Sequence, residues 1–302
     1  MRGTFRETQS PRAGIALMCG TMLIFAFQDT LSKYLGARYD VVFIVAIRFW
    51  FMALLAVFVA VRSAGGIRAT MRSGRPVLQV LRGAMLAGQV CIMVTSFVLL
   101  GLIETHAIFA ATPLLIAALS GPFLGERVGW RRWVAIGVGF LGVLIILKPG
   151  FGVFSPYAFI AITASMVFAT YSLLTRAVAE HDAATTSFFY TGVVGMIVLT
   201  PLGLWRWEWM ATGDAAVLAL LCVTAGIGHF LLIRVYAMAE ASAVQPFSYL
   251  QLVFASVLAV SFLGETLSLN VAGGAVLIVS AGLFTIWRER VRASAPAPAR
   301  RG

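Results

Sequence analysis

Asp29 and Lys33 stand four residues apart in a stretch that is otherwise mostly apolar, so a helix puts both on one face and within reach of each other. Hydrocarbon makes each charge expensive, at about 2.5–3.5 kcal/mol per residue at the centre of a span. Two readings follow: an internal ion pair that neutralises both charges, or a substrate or proton site facing a polar cavity. A pair kept only for structure can be exchanged for apolar residues at little loss, which favours the second. Arg48 lies well inside the next apolar stretch and can bind an anionic group or neutralise Asp29. His229 can titrate near neutral pH, or serve as a hydrogen-bonded packing residue. Phe25, Gln28, Gln89, Tyr171, Tyr249 and Gln251 add rings that stack and amides that orient a ligand, with interhelical packing as the alternative for each.

Other polar positions read more plainly. Arg176 falls near the end of an apolar stretch, where it can snorkel to the interface, and His106 and His181 are placed near such ends as solvated rings. Pro113 and Pro246 each remove a backbone donor, which kinks a helix or frees a carbonyl toward a cavity. Gly137, Gly139 and Gly142 fit the spacing of a dinucleotide fingerprint, but they lie inside an apolar stretch rather than between a strand and a helix. Close helix packing accounts for them. Cys19, Cys91 and Cys222 have neither metal-site nor disulfide spacing and read as small core residues. The sequence calls for no cofactor and no metal.

The elements that must position these groups are membrane spans. The 302 residues are 60% hydrophobic and only 12% charged, with a mean hydropathy of +0.93, against about 25% charge in a typical soluble domain. Apolar segments predict ten transmembrane helices, at 13–36, 41–61, 77–102, 105–124, 130–147, 156–178, 184–205, 214–237, 241–263 and 270–287. The fold class expected is therefore an all-α membrane protein. The net charge of +11 lies mostly in the connections and orients the chain rather than binding nucleic acid. Arginines cluster before the first span, from Arg62 to Arg82, and from Arg127 to Arg132, which puts both termini in the cytoplasm. The first span lacks a convincing cleavage site and reads as uncleaved. Residues 1–12 form a cytoplasmic segment and the Ala- and Pro-rich residues 291–302 a disordered cytoplasmic tail.

Two halves of five helices each, 13–148 and 155–290, resemble one another. Phe123-Leu124-Gly125-Glu126 ends span four and Phe262-Leu263-Gly264-Glu265 ends span nine, while Phe25, Ala26, Leu31, Ser32 and Lys33 align with Phe168, Ala169, Leu174, Thr175 and Arg176. An odd number of spans per half inverts the second copy, so that Glu126 and Glu265 fall at opposite faces, each shaping the turn after its span. Inverted repeats are characteristic of alternating-access carriers.

Ser32-Lys33-Tyr34-Leu35-Gly36 ending span one, Arg48-Phe49, Pro113 and the paired Phe-Leu-Gly-Glu ends resemble the drug/metabolite transporter superfamily, in its ten-helix EamA-type branch, over nearly the whole chain. Span nine departs from the commoner pattern by carrying Leu252 where that pattern has proline. Gln28-Asp29 with Ser32-Lys33-Tyr34-Leu35-Gly36 is similar to carriers that take up S-adenosylmethionine and to their riboflavin-carrying relatives. The resemblance implies a small polar metabolite as substrate, and a cavity lined by spans one, three, four, six, eight and nine, with five and ten peripheral. It leaves import, export and exchange open, together with proton coupling through Asp29 or His229. Gly-rich spans five and ten fit packing against a second copy or against their own bundle. An integral membrane enzyme would need a convergent polar cluster at one face, and the sequence offers none. The short loops fit a bacterial-type inner membrane.

Overall fold

The computed structural model describes residues 11–63, 65–124, 129–147, 155–179, 181–238 and 244–293, and these are helical with short connections. In chain order the helices are α1 (Pro11–Gly36), α2 (Val41–Arg62), the short α3 (Gly66–Thr70), α4 (Pro76–Leu99), α5 (Leu102–Phe109), α6 (Thr112–Leu124), α7 (Trp130–Leu147), α8 (Ala158–Ala179), α9 (Ala184–Trp205), α10 (Thr212–Met238), α11 (Leu250–Leu263) and α12 (Leu269–Ala293). A 3-10 turn over Gln245–Tyr249 leads into α11. Nine stretches among the described residues are long and apolar enough to cross a membrane, and Trp133–Leu147 within α7 is a shorter apolar helix. The protein is a multi-pass membrane protein.

Hydrogen bonding inside the helices follows from the solvent. Without water, a hydroxyl finds its nearest acceptor on its own helix, and Thr21, Thr30 and Ser32 donate to the carbonyls of Leu17, Ala26 and Gln28 one turn back. Outside the hydrocarbon the chain uses ordinary caps. Asp40 accepts from the amides of Val42 (2.8 Å) and Phe43 (3.3 Å) and starts α2. Trp205, Trp207 and Trp209 mark one edge of the apolar belt and Trp130, Trp133 and Trp287 the other, all well exposed, as expected of amphipathic rings at headgroup level.

Helix α1 packs on α10 and α11, α4 on α8 and α9, α2 on α9, and α7 on α12. The last contact depends on two glycines. A Cβ on Gly142 would lie 2.7 Å from the Gly274 carbonyl oxygen, and one on Gly274 would lie 2.5 Å from that of Gly142, so the two backbones touch. Gly139 faces Leu114 and Gly137 has open space, so only part of the glycine pattern in α7 serves helix packing.

The fourth predicted span is two helices. Its start is displaced from the expected 105 to Leu102, after a turn at Gly101 whose φ of 120° requires glycine. Its middle breaks at Ala110 and Ala111 before Pro113, the second residue of α6, where a missing amide proton costs little. Pro246 sits likewise at the start of the 3-10 turn.

Candidate functional site

A cavity of about 720 Å³ penetrates the bundle from the end where α1 begins. Its lining comes from the first half of α1, from α5 and α6, and from the later halves of α8, α10 and α12, closed above by the 3-10 turn and the first residues of α11. Phe25, Phe109, Phe168 and Tyr249 contribute aromatic rings to the wall, and Met18 and Met22 contribute deformable thioethers. Phe109 and Phe168 lie 5.2 Å apart, centroid to centroid. The volume and the largely apolar wall suit a solute of drug-like size. Arg176 lines the mouth and is exposed.

Gln251 and His106 meet Asp29 at the closed end. Gln251 lines the cavity and donates from Nε2 to Asp29 Oδ2 at 2.9 Å. His106 also lines it, and its Nε2 lies 3.2 Å from the same oxygen. That nitrogen is within ion-pairing distance of the carboxylate but is not aligned for a hydrogen bond with any acceptor. The imidazole is fixed from behind by stacking on Phe97, at 5.2 Å and 25° between planes. Two further buried polar atoms have no partner, the Tyr249 hydroxyl and Gln28 Oε1. An orphan hydroxyl costs about 1–3 kcal/mol. The Tyr249 ring is seated against Gly282, where a Cβ would stand 1.7 Å from the phenolic oxygen.

One helical turn beyond Asp29 the route is sealed. Lys33 pairs with Glu265, and the same carboxylate accepts from the amides of Leu102 (2.8 Å) and Ile103 (3.0 Å) at the start of α5. One acidic group thus ties α1, α5 and the end of α11 together, and its charge sits where the first-turn amides of a helix favour an anion. Nearby, Asp214 at the start of α10 accepts from the hydroxyls of Tyr34 (3.0 Å) and Tyr39 (2.8 Å). The second bond, to a group outside the spans, helps to hold the Tyr39 phenol above its usual pKa, against the opposing bond to the Ala211 amide.

At the other end Arg82 is 2% exposed. Its guanidinium donates to Gln79 Oε1 (2.9 and 3.2 Å), the Tyr171 hydroxyl (3.0 Å) and the Ser187 carbonyl (2.6 Å). Gln79 in turn donates to Asp182 at 2.8 Å, so the charge of Arg82 is answered through an amide. Asp182 also accepts from Ser73 at 2.5 Å and from the Gly74 amide at 2.7 Å. Burial pushes its carboxyl up, but these hydrogen bonds outweigh that and hold it below the usual range.

Several sequence expectations are corrected. Asp29 and Lys33 share a helix face but do not pair, because Glu265 offers Lys33 a carboxylate across the bundle. Arg48 makes no ion pair with Asp29, since its Nη1 donates to Ser32 Oγ at 3.2 Å, but the two charges still act on each other. His106 is buried rather than solvated, since the helix begins earlier than expected and carries it inward. Arg82, taken as a connection charge, lies inside α4. The cavity draws on α12, which was expected to be peripheral, and no α4 residue lines it, because the outer half of α4 is filled by core side chains such as Phe97.

Of the candidates, Phe25, Tyr249 and Gln251 line the cavity, with Asp29 directly behind Gln251. Gln28 and Gln89 are buried away from it, and Tyr171 is engaged by Arg82. His229 bonds the Ala225 carbonyl at 2.9 Å behind the Phe25 ring, 5.5 Å between centroids. Glu126 lies outside the described residues, as do most of the expected tail and of the first segment, while residues 291–293 of that tail continue α12 as helix. His106, Phe109 and Phe168 were missed as site residues. The early start of α5 was signalled by Gly101, a turn residue that places His106 in the second helical turn.

Comparison with known proteins bears on this arrangement. The profile of the EamA-like transporter family matches twice in tandem, over residues 12–148 and 155–287. An S-adenosylmethionine uptake transporter of Rickettsia bellii is 27% identical over 277 residues, covering 92% of this chain and 94% of its own. A riboflavin transporter of Vibrio cholerae is 30% identical over 193 residues, covering 61% of this chain and 62% of its own. A solved crystal structure superposes with a TM-score of 0.62 at 18% identity, over 95% of this chain and 100% of its own, and supports the fold.

Proposed function

The chain belongs to the EamA-like transporter family, and on that premise we propose that it is a secondary transporter carrying a small polar metabolite with a planar ring system across the cell inner membrane. The observation that carries this is the cavity itself: aromatic walls for a flat heterocycle, and His106, Gln251 and Asp29 at one end for its polar substituents. S-adenosylmethionine and riboflavin, the solutes in the names of the two relatives, both combine a planar heterocycle with a polar chain. Both fit this division of the wall.

Transport proceeds by alternating access, with two inverted repeats, near 13–148 and 155–290, rocking about the floor of the cavity. The tandem family match supports the duplication. So does the packing: α2 on α9 and α7 on α12 join corresponding helices, while α1 on α10 is answered by α8 on α4, and α1 on α11 by α8 on α6. The arginine-rich connections lie on the side where α1 begins, which supports cytoplasmic termini and a cavity open to the cytoplasm. Asp29, Gln251, Phe25 and Tyr249 contact or position the solute, and Lys33 with Glu265 closes the outer side.

Proteoliposomes loaded with unlabelled solute test this. Saturable counterflow of labelled S-adenosylmethionine or riboflavin is the expected result, and it falls at least tenfold in Gln251→Leu. Absence of counterflow for both compounds sinks the substrate class. The same assay run from the opposite side separates an importer from an exporter or exchanger of the same fold.

A further inference from the structure

The closed end of the cavity holds a carboxylate and an imidazole in ion-pairing distance, Asp29 Oδ2 and His106 Nε2 at 3.2 Å. Orienting a solute does not require this arrangement, since Gln251 alone both faces the cavity and grips the carboxylate. We propose that Asp29 and His106 together hold the proton whose binding and release couples solute movement to a transmembrane pH difference. The proposal rests on the transporter reading above.

Position is the first argument. His106 meets the cavity on one side, while the Lys33–Glu265 seal stands one turn of α1 beyond Asp29 on the other. A pair placed between a cavity and a seal faces each side of the membrane in turn when the seal opens and the cavity closes. Its unused valence is the second argument. The buried Nε2 has no aligned acceptor, so a proton added there gains a carboxylate partner without displacing an existing bond. Solute contact is the third, because Gln251 touches both the solute space and Asp29, so a solute that draws Gln251 away changes what the carboxylate must bind.

The step is a proton binding alone. Loaded, one proton is shared between a carboxylate oxygen and Nε2; emptied, a carboxylate ion and a neutral imidazole remain, and the proton passes to water in the cavity. The charged and titratable groups around the pair, among the described residues, come from every neighbouring element. From α1, Lys33 is held by Glu265, which lies just beyond α11; from α2, Arg48 donates to Ser32 while its charge also acts on Asp29. From α10, His229 is bound to Ala225. Along α5 itself Glu104 faces the Lys33–Glu265 pair. Helix α4 brings Cys91 and, at its far end, Arg82; the 3-10 turn brings Tyr249, α8 brings Arg176 at the cavity mouth, and α12 brings Arg288 near its far end.

The experiment uses full-length protein in proteoliposomes with a pH dye in the lumen, and labelled S-adenosylmethionine or riboflavin, whichever shows counterflow. The expected result is a luminal pH change that accompanies solute flux at about one proton per solute. That proton yield per mole of solute falls several-fold in Asp29→Asn and in His106→Gln, and is kept in Asp29→Glu, which retains a carboxylate. Normalising to solute moved keeps a slow variant informative. Counterflow in the wild type with no luminal pH change overturns the proposal and leaves the transporter reading standing. An unchanged proton yield in both Asp29→Asn and His106→Gln also overturns it, by placing the coupling elsewhere. No counterflow for either compound sinks the substrate class on which the proposal rests, and the proposal with it.

Discussion

The two ends of the bundle are both tied by carboxylates, yet among the described residues only one has a tie across the central route. At the end beyond Asp29, Asp214 ties the close of α1 to α10, and Glu265 ties α1, α5 and the end of α11 across the central route. At the end where α1 begins, Gln79 and Arg82 join α4 to α8 and α9 in the manner of the first tie, off to one side of the cavity. No counterpart of the second tie crosses the route there among the described residues, and the cavity opens instead. A side tie present at both ends holds fixed pairs of helices together. Among the described residues, the tie that crosses the central route stands at the closed end, beside Asp29.

That comparison breaks most readily at Glu265. Replacing it by glutamine leaves a half-buried cation without its counter-charge and one helix amide without an acceptor, a loss of about 3 kcal/mol, the low end for a buried pair. With each 1.4 kcal/mol worth tenfold, Glu265→Gln should raise the labelling rate of a cysteine placed at Leu102, by an impermeant maleimide added from the closed side, by about a hundredfold. Unchanged labelling would mean that apolar packing, not the carboxylate, keeps this end shut. A smaller effect is expected at the fixed tie near the closed end. Asp214→Asn weakens two hydrogen bonds of about 1 kcal/mol each, and should lower the thermal midpoint by several degrees in detergent while leaving maleimide labelling unaltered.

Asp182 sharpens the contrast from the other end. Its carboxyl is held below the ordinary range by bonds from Ser73, Gln79 and Gly74. A group whose pKa is lower folded than unfolded adds stability above the unfolded value, near 4, and loses it as pH falls through the folded value. Wild type should therefore shed part of its thermal stability below about pH 4, and Asp182→Asn should flatten that part of the profile. Solvent near the loop keeps the difference below about 1 kcal/mol. The smallest change is at the cavity wall. Tyr249→Phe removes an orphan hydroxyl and should leave the thermal midpoint level or slightly higher, with any rise in KM reporting a bond from that hydroxyl to the solute.

Much of this was legible before the fold. Apolar runs separated by arginine-bearing connections located the spans to within a few residues, since nothing but a helix satisfies its backbone in hydrocarbon. Asp29 and Gln251 stood out because polar groups there are costly. Partner choice was not legible. Lys33 lies 232 residues from Glu265 in sequence, and local spacing offered Asp29 instead. His106 was hidden by a boundary: three residues separate a span starting at 105 from a helix starting at 102, close to one turn of helix and enough to move a ring from the interface into the floor. Arg82 was misread for a related reason, because an arginine two turns inside a helix looks like a snorkelling one until an amide and a carbonyl are found waiting for it.

The notch that Gly282 leaves for the Tyr249 ring turns one backbone position into a ruler for cargo. With no side chain at 282 the phenol stands back against α12 and the chamber keeps its width. Each carbon added there pushes the ring forward, so alanine and then valine should trim the longest accepted solute in steps, and a series of solutes of graded length would read the gauge directly.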